Sequence, residues 1–222
     1  MKDLTVVMLG HKSLAGKDTV FSFAEGLGFK RVAFADSLKY QCMDIFNLTH
    51  DQVFGSGKDI MDERYPNNVD QEFIEDNTGS VVNAYELPTP TYIANPDYKP
   101  FLTPRRILQL YGQYCRSLYK DVWASYIFTN TIPKIQAEGH DKIMITDFRF
   151  KNEATVAQRW AEETGNNLLI YKVNRPGVFA KTAAGDESEN DLNDFEGWTG
   201  EILNDSTLDS LEQTTVSLFS SI

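Results

Sequence analysis

The chain of 222 residues is 41% hydrophobic and carries a net charge of −11, which suits one domain with insertions and a sizeable core and includes no apolar run of membrane-spanning length. The acidity sits at one end: residues 182–222 hold ten acids and no Lys or Arg, so the first 181 residues net only −1, which disfavours a nonspecific polyanion surface but leaves room for local basic clusters aimed at small phosphates. Cys42 and Cys115 have no framework or metal spacing and predict a reducing cytosol; the quickly polar N-terminus predicts no signal peptide.

In chain order, 4–9 (LTVVML) predicts a buried strand, broken at Gly10 by a polar, small-residue loop. A helix is predicted over 19–27, a strand over 31–35, and a helix from an Asp36 N-cap to about Phe46. Residues 47–100 hold five of the eight prolines and predict a helical insertion followed by a long loop. Thr103 and Pro104 have the form of an N-cap and first helical residue for a helix to about Tyr119. A second helix, 121–137, is predicted to bend near Pro133. Then come a strand at 142–147 ending in a carboxylate, a helix at 152–164 and a strand at 168–173. Residues 174–200 are polar and Gly-rich and predict a flap, 201–204 a short strand, and 206–219 a helix capped by Ser206 and Thr207. This alternation predicts an α/β fold of three layers, a parallel sheet with helices on both faces, and places ligands at the carboxyl ends of the strands.

Residues 10–19 read GHKSLAGKDT. A strand, a loop with Gly-Lys and a helix is the context in which amide N–H groups wrap a polyphosphate, with Gly16 allowing close approach and Lys17 reaching the phosphates. Five residues rather than four separate Gly10 from Gly16, so His11 takes the first consensus Gly position, and Asp18 followed by Thr19 takes the place of the metal-binding hydroxyl. An ordinary Gly-containing strand–helix turn is the plain alternative.

On the helix from Pro104, residues Arg105, Gln109, Gly112 and Arg116 fall in one stripe that suits a nucleoside monophosphate: guanidinium for phosphate, amide for a base edge, glycine for clearance. A solvated charged face is the alternative. Ile107, Tyr111, Tyr114 and Leu118 form a second stripe that is expected to pack. In ITDFRFKNE, Asp147 can organise Mg²⁺ through water or orient an attacking phosphate oxygen, Arg149 can point the same way, and Glu153 can pair with Arg149 or touch a substrate. Helix-capping and surface ion pairing are the alternative for all three, stronger for Glu153 than for Asp147 and Arg149. His11, His50 and His140 lack metal spacing, so no zinc site is expected.

GKDT after the first strand, FADSLK at 34–39, TPRRILQLYGQYCR with Trp123 downstream, TDFRFKNE at 146–153, VNRPG at 173–177, ESE at 187–189 and ILND at 202–205 occur in that order. Together they resemble the bacteriophage deoxynucleoside monophosphate kinases, P-loop enzymes related in fold to dephospho-coenzyme A kinase. The resemblance implies one P-loop kinase domain over 1–222, with 47–100 as an insertion, 101–140 as a helical monophosphate-binding region and 174–200 as a lid. It implies phosphorylation of a deoxynucleoside monophosphate by ATP with Mg²⁺, supplying dNTP synthesis for viral DNA replication. Lys17, Asp147 and Arg149 would be catalytic. Leu14, Ala15, Gly16, Lys17, Asp18, Thr19 and Arg175 would hold the donor, and Asp18, Thr19 and Asp147 the metal. Asp36, Lys39, Arg105, Arg106, Gln109, Gly112, Arg116, Trp123, Arg149 and Glu153 would receive the deoxynucleotide. The resemblance further implies the host cytoplasm and a homodimer; the lack of a basic stripe with interleaved aromatics, the acidic C-terminal fifth and the lack of an apolar span predict no nucleic-acid or membrane partner. The longer loop leaves His11, Lys12 and Ser13 without roles, and the lid pattern begins with Asp186 or Glu187 where the family has His. Alternatives are dephospho-coenzyme A kinase or another small-metabolite kinase, and a nucleotide-binding switch without turnover.

Overall fold

The computed structural model describes residues 4–67, 74–75, 81–82, 99–177 and 187–222. The chain divides into two compact units, one comprising Met1–Leu38 with Cys115–Ile222, the other Lys39–Tyr114.

The first unit is built on five strands: β1 (Thr5–Gly10), β2 (Lys30–Val32), β5 (Lys142–Phe148), β6 (Asn167–Asn174) and β7 (Gly200–Leu203). They form one sheet in the order β2-β5-β1-β6-β7, with every neighbouring pair parallel. Alternation along β1 sends its side chains into two cores. Val6 and Met8, with Ile143 and Ile145 of β5, pack against α5 (Val122–Tyr126), the π-helical stretch Ile127–Thr131, α6 (Ile132–Ala137) and α7 (Lys151–Thr164), through Ala124, Phe128, Ile132 and Ala157. Val7 and Leu9 face the other way, where Met144, Val173 and Ile202 meet α1 (Lys17–Glu25) and α9 (Leu208–Phe219) through Val20, Ala24, Leu211 and Phe219. Strands buried on both faces read as continuous apolar runs, as VVML and IMI do here. The α/β fold, a parallel sheet covered by helices on both faces, is as the sequence predicts.

Three local expectations are corrected. The second strand stops at Val32, and α2 (Phe34–Ile45) begins two residues before Asp36, which lies inside its first turn and is not its N-cap. The helix after Asp121 loses α geometry at Ile127, ahead of Pro133, whose missing N–H leaves a carbonyl of the preceding turn without its α-helical donor. On α4 (Pro104–Leu118) Ile107 is buried and Tyr111 packs on Phe46, centroids 5.9 Å apart. Tyr114 and Leu118 of the same stripe are 62% and 72% exposed, because the aromatic packing covers only the first half of that face.

In the second unit, α3 (His50–Phe54) opens with a capping box in which Thr49 Oγ1 accepts the Gln52 N–H and the Gln52 side chain accepts the Thr49 N–H. A 3₁₀ turn follows at Ser56–Asp59, and β3 (Ile74–Glu75) and β4 (Val81–Val82) form an antiparallel pair within the expected long loop. Most of the rest of that loop lies outside the described residues. The buried Asp62 carboxylate accepts from Gln52 Nε2 at 3.0 Å and Arg64 Nε at 2.8 Å, tying the two ends of this stretch.

Candidate functional site

Four chain segments of the first unit converge at the carboxyl ends of the strands: the loop after β1, the end of β5, the turn after β6 and the residue after β7. The loop carries left-handed backbone at His11 (φ 93°), Leu14 (φ 60°) and Gly16 (φ 102°). The φ of Gly16 calls for glycine, and a Cβ there would also lie 2.5 Å from Asn204 Nδ2 and push that side chain aside. Asn204, just past β7, donates that Nδ2 to the Ala15 carbonyl at 2.9 Å and so holds the loop's last turn.

Among the described residues, nothing accepts a hydrogen bond from the amide N–H groups of Leu14 through Thr19, the run that leads into α1. Consecutive free N–H groups at a helix N-terminus make a concavity that favours an anion. Lys17 is only 7% exposed, and its ammonium donates back to the carbonyls of His11 at 3.2 Å and Lys12 at 2.6 Å. Burial, with Arg149 next in size, lowers it to about 8; Glu189, Asp18 and Asp147 pull the other way. Burial and the cations Lys172, Lys12 and Lys17 hold His11 at about 4, so it is neutral at physiological pH. A cleft of about 200 Å³ opens beside the loop, with His11, Lys12, Ser13 and Ala15 on one side and the Asn174–Gly177 turn, including Arg175, on the other.

At the end of β5, the Asp147 carboxylate accepts the N–H groups of Phe34 at 2.7 Å and Ala35 at 3.0 Å, capping α2 from another part of the chain. Glu153, 8% exposed, turns back to accept the N–H groups of Arg149 at 2.9 Å and Phe150 at 3.0 Å. Burial and then Asp147 push its carboxyl up to about 8 in spite of those bonds. Arg149 sends its guanidinium to Glu189, whose other carboxylate oxygen accepts the Ser13 N–H at 2.9 Å.

Lys17, Asp147, Arg149 and Glu153 therefore meet in one electrostatic neighbourhood, with Arg175 across the cleft. Asp18 is turned outward, 3.6 Å from Arg31, which also donates to Asp36 at 3.1 Å. Arg116 lies with its guanidinium carbon 5.8 Å from the centre of the Phe150 ring, and Trp123 is buried on α5. In the second unit, Arg105 forms a two-point pair with Asp59 at 2.6 and 2.9 Å, Lys39 sits 4.8 Å from the Phe54 ring, Arg106 N–H donates to Thr103 Oγ1, Gln109 is exposed and Gly112 is buried. Among the described residues no group of three or more His, Cys, Asp or Glu is placed to hold a metal ion, and no helix is long and apolar enough to cross a membrane. Sequence reasoning did not assign Ser13, Glu189 and Asn204; the motifs ESE and ILND contain two of them, but their contacts are all long-range.

No family model matches the chain. Over 216 residues it is 24% identical to a protein of Acanthamoeba polyphaga mimivirus that bears the name "Putative deoxynucleotide monophosphate kinase", a match covering 95% of this chain and 93% of that one. Among solved structures it is similar to the dephospho-CoA kinase from Campylobacter jejuni, with a TM-score of 0.47 and 14% identity over 98% of this chain and 96% of that one.

Proposed function

We propose that the protein is a kinase that moves the terminal phosphoryl group of ATP onto a deoxynucleoside monophosphate. The observation that carries this reading is the run of unpaired amide N–H groups from Leu14 to Thr19, at the start of α1, with the Lys17 ammonium buried beside it. The similarity to the mimivirus protein along 95% of the chain supports the choice of acceptor.

In this reading Leu14, Ala15, Gly16, Lys17 and Thr19 cradle the donor phosphates, and Arg175 lies along the donor on the far wall of the cleft. Lys17 and Arg149 neutralise charge on the phosphoryl group in flight, and positioning supplies most of the acceleration. No strong base is needed, since the attacking atom is already a phosphate oxygen. Mg²⁺, when bound with ATP, neutralises phosphate charge. It favours hard oxygen donors; the Thr19 hydroxyl, the exposed Asp18 carboxylate beside Arg31 and the Asp147 carboxylate, which already accepts the Phe34 and Ala35 N–H groups, are the ones this reading offers. Asp36, Lys39, Arg105, Arg106, Gln109, Gly112, Arg116, Trp123 and Glu153 are the residues proposed on the acceptor side. Glu153 acts there by holding the Arg149 backbone.

The test is ADP release from ATP with dGMP, dTMP, dCMP, dAMP and dephospho-CoA as acceptors. Turnover with one or more deoxynucleotides is the expected result. Turnover with dephospho-CoA alone would make this a metabolite kinase, and ATP binding without acceptor-dependent ADP would make it a switch.

A further inference from the structure

The segment that follows the expected lid's midpoint is already docked on the loop. Glu189 is 8% exposed, and its two carboxylate oxygens are divided between the Ser13 N–H and the Arg149 guanidinium. The Lys12 ammonium donates to the Glu189 backbone carbonyl and, at 2.7 Å, to Asn193 Oδ1. A second grip comes from the start of α7, where the Lys151 N–H donates to Asp191 Oδ2 at 2.6 Å and its ammonium to Asp194 Oδ2 at 2.8 Å. Burial alone would raise the Glu189 carboxyl, but Ser13 and Arg149 outweigh it and hold it below the usual carboxylate range.

We propose that Glu189 is an internal competitor at the phosphate loop: docked on the Ser13 N–H, at the edge of the free Leu14–Thr19 run, its carboxylate pairs with the Arg149 guanidinium that a phosphate would use. The inference rests on the reading of the loop as a polyphosphate site. The Arg149 charge that Glu189 neutralises is not fully available to a phosphate, and two anions brought close together repel. Ligand and docked segment therefore oppose each other, and the docked segment lowers apparent affinity. Ligand entry also frees Lys12 and Arg149 from residues 189–193, so the two cations become available together.

The test measures inorganic tripolyphosphate binding by calorimetry for the full chain and for Glu189→Gln and Asn193→Ala. It also follows hydrogen exchange of the amides at 187–194 with and without tripolyphosphate. The isosteric Gln is a weaker occupant, so Glu189→Gln is expected to bind roughly tenfold tighter, the worth of a charge-assisted hydrogen bond. Asn193→Ala loses the Lys12 tether and a long bond to Asn190 within the segment, and is expected to gain roughly threefold. Exchange at 187–194 is expected to speed up when tripolyphosphate is added. Equal or weaker binding by Glu189→Gln, or slower exchange in the segment, would overturn the competitor while leaving the loop reading standing. Absence of tripolyphosphate binding to all three proteins would overturn both.

Discussion

The Asp147 carboxylate grips the amide of Phe34 at 2.7 Å from 113 residues further along the chain. With the Ala35 N–H on its second oxygen, it supplies the N-terminal cap that α2 lacks locally. Asp147→Asn keeps the size but replaces one acceptor by an NH₂ group facing an N–H. The substitution is expected to destabilise the protein by about 1–3 kcal/mol, the cost of one buried donor left unpaired, read as a lower midpoint in urea with an unchanged slope.

That cap also explains where the sequence was legible and where it was not. β1, β5 and β6 stand out because each lies in the middle of the sheet and needs apolar side chains on both faces, a pattern visible in any short window. The start of α2 was misplaced because Asp36 looks like a local cap while the working cap comes from Asp147. Glu189 lay in an acidic stretch where nothing local separates a carboxylate that binds the loop from those that face water. The Gly16–Lys17 pair was legible because its backbone demand is local; Asn204, which enforces the same glycine, acts only through the fold.

Lys17→Ala is expected to reduce turnover on the order of 10²–10³-fold, as removal of one charge-stabilising donor from a reacting site does, while far-ultraviolet circular dichroism stays that of the parent. Near-parental turnover would remove the loop from the reaction.

The lowered Lys17 ammonium, near 8, gives a second measurement on the same residue. A polyanion beside it favours the charged form and raises its pKa. Binding of tripolyphosphate at pH 8 is therefore expected to take up protons, seen as a dependence of calorimetric heat on buffer ionisation enthalpy. At pH 6 the ammonium is already charged and Lys17 contributes no uptake.

Glu153 titrates at about 8 when folded against an ordinary value of 4.5. Between those two pH values the folded state holds the proton and the unfolded state does not, so stability from this group falls as pH rises through the window. Its slope is at most about 1.4 kcal/mol per pH unit. Glu153→Gln keeps an oxygen for the Arg149 and Phe150 amides but does not titrate. Its melting temperature relative to the parent is expected to climb from pH 5 to pH 8, and a constant difference would mean the carboxyl ionises normally.

Gly16→Ala meets two obstacles at once, a φ of 102° and the Asn204 amide 2.5 Å from the new Cβ. A loss of about 1–2 kcal/mol from the backbone alone is expected, together with loss of tripolyphosphate binding. Asn204→Ala in the same background relieves the contact but also removes the hydrogen bond to the Ala15 carbonyl and leaves the backbone strain, so it is expected not to restore the parent's stability.

The strand order has a bearing on how the chain is made. Among the described residues β1 pairs only with β5 and β6, and β2 only with β5, so neither of these two strands has its ladder partner until residues 142–148 have been synthesised. A nascent chain of the first 140 residues therefore presents β1, an apolar strand, unpaired on both edges, while the Lys39–Tyr114 unit already contains its own short antiparallel pair and capped α3. Sheet closure over so long a stretch of intervening chain is slow, and that interval is when nascent protein most needs shielding from its neighbours.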